Sequence, residues 1–347
     1  MKVWPLHAIG DIRLETREMP VAAPGEVLLK VRACGICGSD IPRVFTKGTY
    51  SFPTVPGHEF SGEIVGVAEG GDKSLIGRGA AVFPLMPCRS CSACEIGEFA
   101  LCENYNYMGS RCDGAFVEYI AVPLWNLLLI PEGVSYEEAA MVEPAAVALH
   151  SLRQASVGIG DHVLIYGAGP IGIMIAMWAD IWGAGSILLV DVDEDRLSFA
   201  RGLGIMNTCN SAKTDIVAWV SEQTNGRGAD VTIEGAGSSI SFENAMHTTR
   251  RFGKIVLLGN PAGDMVLTQK GYWEILRKNL TLIGSWNSYY ATLPVNEWQL
   301  VLNFIASGKL RLDPLITHRV KIEELGDALK MMRDRSEFTV KVMYVNQ

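Results

Sequence analysis

The sequence predicts an α/β protein of two domains: a β-rich, barrel-like domain and a doubly wound domain built on a parallel sheet. Three observations predict it. The chain has 347 residues, too many for one small core. Its 36 glycines and 48% hydrophobic residues suit an enzyme with many tight turns. Mid-chain, a strand, a G-x-G-x-x-G turn and a helix follow one another, after an early region of strand-like runs. The expected boundaries are 1–150 and 151–290, with 291–347 returning to the first domain.

The net charge of −8 argues against a general nucleic-acid binder, which needs a basic stripe to displace counterions from phosphates. The apolar stretch 163–191 raises the question of a membrane span, but Gly167, Gly169, Pro170, Gly172, Asp180, Gly183 and Gly185 interrupt it. No secretory signal is read at the N-terminus, so the expected location is the cytoplasm. Eight cysteines there suggest metal binding before disulfides.

In chain order, residues 27–33 alternate like a strand with one buried face and run into Cys34-Gly35-Ile36-Cys37-Gly38-Ser39-Asp40. Gly35 and Gly38 leave the backbone free to turn the Cys37 thiolate inward. About twenty residues on, Gly57-His58-Glu59 precedes another strand-like run at 62–67. A thiolate, an imidazole and a carboxylate form the ligand set of a catalytic zinc that keeps one position open, so Cys37, His58 and Glu59 are expected to hold one. Taken as an isolated pair, His58 capping a turn and Cys37 filling a core would be the simpler reading. The downstream features weigh against it.

Cys88-x2-Cys91-x2-Cys94-x7-Cys102 can close a tetrahedron of thiolates around a second zinc. Four cysteines leave no position for substrate, so this zinc is expected to be structural. An iron–sulfur cluster fits less well, because the bacterial run differs in its last spacing and ends in Cys-Pro. Cys34, Cys112 and Cys209 are expected to be ordinary thiols.

Ser135-Tyr136-Glu137-Glu138 has the form of a capping box and opens a helix pattern to about residue 152. Glu143 lies inside it among apolar neighbours, where a carboxylate needs a partner or a metal. Next, a strand at 161–166 leads into Gly167-Ala168-Gly169-Pro170-Ile171-Gly172 and a helix at 173–182, the order that lets helix amides meet a pyrophosphate. The strand 186–191 ends in Asp191, placed to accept from a ribose and to repel a 2′-phosphate, which points to NAD. Arg196 either stacks on the adenine or is a helix-surface cation. Strands at 231–234, 255–259 and 280–284 continue the sheet, and a helix at 297–306 and a strand at 339–344 close the chain.

The G-x-C-G-S-D run at 35–40, G-H-E at 57–59, the four-cysteine run, Glu143-Pro144 and G-A-G-P-I-G at 167–172 together resemble the zinc-dependent medium-chain dehydrogenases over essentially the whole chain. Glu59 after His58, with Glu143-Pro144, resembles the polyol branch more than the ethanol branch. Residues 38–43, 107–111 and 283–286 narrow the likeness to enzymes of polyol phosphates. The resemblance implies a GroES-like catalytic domain, a Rossmann domain, a cleft between them, and homodimers joined through the Rossmann sheets, here with 281–285 as the edge. Homotetramers are the alternative.

It also implies zinc- and NAD-dependent oxidation of a secondary alcohol of a polyol or polyol phosphate to a ketose. In that reading Glu143 is a fourth zinc ligand or the partner of the bound water, and Ser39 is the first proton acceptor. One departure stands out. Many relatives carry a His three residues after the serine, ending a proton relay, where this chain has Pro42. For a phosphate, Arg43 and Lys47 are the expected basic partners, four and eight positions after Ser39. The rival readings are a dehydrogenase of an unphosphorylated polyol, a sugar or a threonine-like amino alcohol, and a non-catalytic nucleotide-binding protein.

Overall fold

The alternation early in the chain forms an 11-residue strand, Glu26–Ile36, whose burial alternates at first and becomes continuous near its end. In the computed structural model, which describes residues 1–261 and 263–346, the end of this strand lies between Glu59–Val67 and Lys341–Val345. Tyr119–Pro123 pairs with its beginning. The sheet runs Leu127–Leu129, Gly79–Val82, Glu59–Val67, Glu26–Ile36, Lys341–Val345, Ile316–Val320. These strands belong to one compact unit, Met1–Glu143 with Tyr289–Gln347. Val27, Leu29, Phe60, Ile64, Phe116 and Tyr344 fill its core.

The second unit is Pro144–Ser288. Its strands are His162–Tyr166, Ser186–Asp191, Thr208–Asn210, Ala229–Glu234, Thr249–Leu257 and Thr281–Gly284, all parallel. Counted in chain order, they lie third, second, first, fourth, fifth, sixth. This is the doubly wound order, and its direction reverses between the first and fourth strands, where ligands bind in such sheets. The central strand Ala229–Glu234 is buried at every residue, including its polar Asp230, Thr232 and Glu234. The stretch 163–191 is strand, turn, helix and strand, and among the described residues no helix is long and apolar enough to cross a membrane. Thr281–Gly284 forms the mostly exposed edge.

Candidate metal centres and glycine-rich turn

Cys37 follows the end of the long strand, and His58 and Glu59 enter the neighbouring one, so antiparallel pairing brings them together. One ligand atom from each of Cys37, His58 and Glu59 lies within 4.8 Å of the other two. Gly35 sits opposite Glu59 in the ladder, and a β-carbon there would collide with the Glu59 carboxylate. Glycine at that position is what makes room for the carboxylate.

Of the groups behind these three, Lys341, Asp40 and Tyr107 were given no role by sequence reasoning. Lys341, on the returning strand, donates to Glu59 Oε2 at 2.5 Å, and both side chains are buried. Fully buried Asp40 accepts from the Cys37 amide at 3.0 Å and from Arg43 at 2.5 Å, with Oδ1 3.4 Å from His58 Nδ1. Tyr107 Oη donates to Glu143 Oε1 at 3.2 Å, and its ring centroid is 5.8 Å from that of His58. Glu143 is itself buried but does not join the three-residue ligand set. The only sequence signal for Lys341 is a cation inside an apolar run, Val340 to Val345.

These contacts set the charges. Burial pushes the Glu143 carboxyl up to about 7, against the pull of His58. Burial works against a charged His58, yet Asp40 and Cys37 outweigh it and raise the imidazole well above its ordinary value. Lys341 follows the same pattern: burial lowers it, while Glu59 and Cys37 raise it further. Buried acidic and basic groups thus crowd around the Cys37 sulfur and the Glu59 carboxylate. His58 Nδ1 is buried without a hydrogen bond, beside a carboxylate that can orient the ring for ligation through its other nitrogen. The donor set fits a zinc with an open position.

Cys88, Cys91, Cys94 and Cys102 also converge. The Cys88–Cys94 and Cys91–Cys102 sulfur separations are 4.0 and 3.9 Å. These are close to the edge of about 3.8 Å expected for a tetrahedron with zinc–sulfur bonds of roughly 2.3 Å, and far too long for a disulfide. The Ser90 hydroxyl and amide lower the Cys88 thiol to about 6, whereas burial raises Cys94 to about 12. This group fits a closed zinc site.

Ser39 is half-buried, and its amide lies 3.5 Å from Cys37 Sγ. Its hydroxyl has no hydrogen-bond partner among the described residues. Arg43 and Lys47 fall on the helical turns Asp40–Pro42 and Arg43–Lys47. Arg43 is ion-paired with Asp40, whereas Lys47 is exposed.

In the second unit Gly167 adopts φ +103°, Gly169 caps the helix Pro170–Ile181, and Pro170 occupies its first turn. A β-carbon at Gly172 would collide with Gly167 O, so helix and turn pack closely only with glycine there. Ile171 lies in the first turn between them. Asp191 accepts from the amides of Ala168, Val192 and Asp193 at 2.7, 2.7 and 3.0 Å, which fixes its carboxylate beside the glycines. Arg196 leans toward Asp191 and Asp193 at 3.8 and 3.6 Å.

Two family descriptions match the chain. "Alcohol dehydrogenase GroES-like domain" covers residues 23–132, and "Zinc-binding dehydrogenase" covers 170–307. Galactitol 1-phosphate 5-dehydrogenase of Escherichia coli strain K12 is 35% identical over 92% of this chain and 93% of its own. Sorbitol dehydrogenase of Bacillus subtilis strain 168 is 32% identical over 99% and 96%. The crystal structure of galactitol-1-phosphate dehydrogenase from Escherichia coli superposes with a TM-score of 0.94 at 34% identity, covering 100% of each chain.

Proposed function

This chain belongs to the zinc-type medium-chain alcohol dehydrogenases, and from that premise we propose that it oxidises a secondary alcohol of a polyol phosphate to the ketose phosphate, with NAD as acceptor. The observation that carries the reading is the convergence of Cys37, His58 and Glu59 in a chain similar to galactitol 1-phosphate 5-dehydrogenase over nearly its whole length. In this reading residues 1–150 and 291–347 form the catalytic domain and 151–290 the nucleotide-binding domain.

Cys37, His58 and Glu59 would hold a zinc whose Lewis acidity would lower the pKa of a substrate hydroxyl, and bound NAD would be the hydride acceptor. The residues do the rest. Lys341 and Asp40 fix Glu59 and His58 in place. Glu143, held by the Tyr107 hydroxyl, orients water or substrate at the open position. The unpartnered Ser39 hydroxyl takes the substrate's proton. Pro42 has no group to pass that proton on, so water receives it from Ser39. Gly169, Ile171 and Gly172 present amides to the pyrophosphate, with Gly167 forming the turn and Pro170, which has no N–H, starting the helix, and Asp191, flanked by Arg196, accepts from the ribose. Cys88, Cys91, Cys94 and Cys102 hold the structural zinc.

A cytoplasmic homodimer joined along the exposed Thr281–Gly284 edge belongs to the same proposal. A second reading, oxidation of the unphosphorylated polyol, is favoured by the similar sorbitol dehydrogenase and by the engagement of Arg43 with Asp40. The test is NADH formation from hexitol 1-phosphates, free hexitols and threonine, each with NAD or NADP. The proposal expects the highest kcat/KM for a hexitol 1-phosphate with NAD. A preference for a free hexitol or for threonine overturns it.

A further inference from the structure

We propose that Arg111, clamped between the rings of Tyr50 and Tyr105, is the residue that grips the phosphate of the substrate. This inference rests on the polyol phosphate reading above. An anionic substrate approaching a chain of net charge −8 needs a local cation whose charge is not already answered. Arg43 does not meet that condition, because buried Asp40 neutralises it, and Lys341 is taken by Glu59. Among the described residues no carboxylate pairs with Arg111.

The placement of Arg111 follows from a tight turn. Its amide bonds to Tyr107 O at 2.9 Å, and Tyr107 is the residue whose hydroxyl holds Glu143 and whose ring faces His58. Ring contacts link His58 to Tyr107, Tyr107 to Tyr105 at a centroid distance of 6.4 Å, and Tyr105 to the guanidinium of Arg111. The Arg111 turn thus shares Tyr107 with the metal donors as its anchor.

The guanidinium carbon lies 4.2 Å from the Tyr50 centroid and 4.3 Å from that of Tyr105. Stacking on both faces fixes its plane and leaves its N–H edges for a ligand, with a single long contact of 3.4 Å to Tyr50 Oη. A planar fork held in this way matches two phosphate oxygens and loses little further freedom on binding. The exposed Lys47 would add to the attraction without fixing geometry.

The experiment measures kcat and KM for one hexitol 1-phosphate and for the same free hexitol, in the native enzyme, Arg111→Gln, Arg111→Lys and Arg43→Gln. If Arg111 reads the phosphate, Arg111→Gln lowers the ratio of the two kcat/KM values about tenfold to a hundredfold through KM, as loss of a charge-assisted bond implies. Arg111→Lys restores part of the ratio, and inhibition of the native enzyme by inorganic phosphate weakens in Arg111→Gln. If the native enzyme prefers the phosphorylated substrate but the Arg111→Gln ratio does not move, or both substrates suffer equally, Arg111 only ties its two loops together and the inference is overturned while the proposed function stands. If the native enzyme has no preference for the phosphate, the proposed function fails and the inference falls with it.

Discussion

Gly35 lies opposite Glu59 on one neighbouring strand and Met343 on the other. A β-carbon there would strike the Glu59 carboxylate and come within 3.3 Å of Lys341 Cδ. A carboxylate end usually gives way cheaply, but this one is buried and bound to a buried lysine, so it moves only by loosening that pair. Gly35→Ala is therefore expected to lower kcat/KM about tenfold to a hundredfold, the scale of an ångström-sized misplacement, and to weaken retention of one zinc. Wild-type kinetics and zinc content in that variant would refute this account of Gly35. Cys37→Ser should abolish turnover and remove one metal while the four-cysteine zinc remains. Elemental analysis showing at most one zinc per chain in fully active enzyme would end the two-metal assignment. On the cofactor side, Asp191→Ala deletes a ribose acceptor and a charge that repels a 2′-phosphate, so it should raise the KM for NAD and narrow its advantage over NADP. Equal use of both cofactors by the native enzyme would show that Asp191 has no such part.

The segment from Cys88 to Cys102 contains only short helical turns, Ser92–Glu95 and Phe99–Leu101, so its order depends on what its four sulfurs hold. Cys91→Ser should lower the Tm by about 5 °C or more and increase proteolysis within this segment. An unchanged Tm would mean that the lobe is held by other contacts. This lobe was legible in the sequence because its four ligands are local, as was the glycine-rich turn between strand and helix. One parallel strand was legible to the residue: burial of Leu188, Leu189 and Val190 gives an apolar run after Gly185, and Ser186–Asp191 begins and ends where the pattern predicts. Contacts between distant strands were not legible. Glu59 and Lys341 are 282 positions apart, and no local pattern says that Lys341–Val345 would pair beside Glu26–Ile36. Arg43 illustrates the same limit at short range. Its distance from Ser39 suggested a phosphate contact, whereas spacing gave no sign that Asp40 would be fully buried and ion-paired with it; the phosphate role itself is left to the kinetic test.

At the scale of the chain, the two compact units have separate cores and separate chemical sensitivities. Among the described residues, both candidate metal-donor groups lie in Met1–Glu143 with Tyr289–Gln347. The second unit instead contains Asp230, whose carboxylate accepts from the His162 amide at 2.8 Å and from Arg250 at 2.5 Å. Burial alone would raise this carboxyl, but those two partners outweigh it and hold it below the usual carboxylate range. A folded value below the unfolded one means stability that is present above about pH 4 and is lost as pH falls through the folded value. Asp230→Asn should therefore lower the Tm of the second unit at pH 7, and the difference from wild type should shrink as the pH falls below about 4 through the folded value. Chelation should act on the other unit, because metal binding contributes to the folded state that holds the ligands. Calorimetry of the full chain is thus expected to show two components, one lowered by chelator and restored by zinc, the other lowered by Asp230→Asn. A single transition shifted equally by both treatments would show that the units unfold as one, and that neither sensitivity belongs to one unit alone.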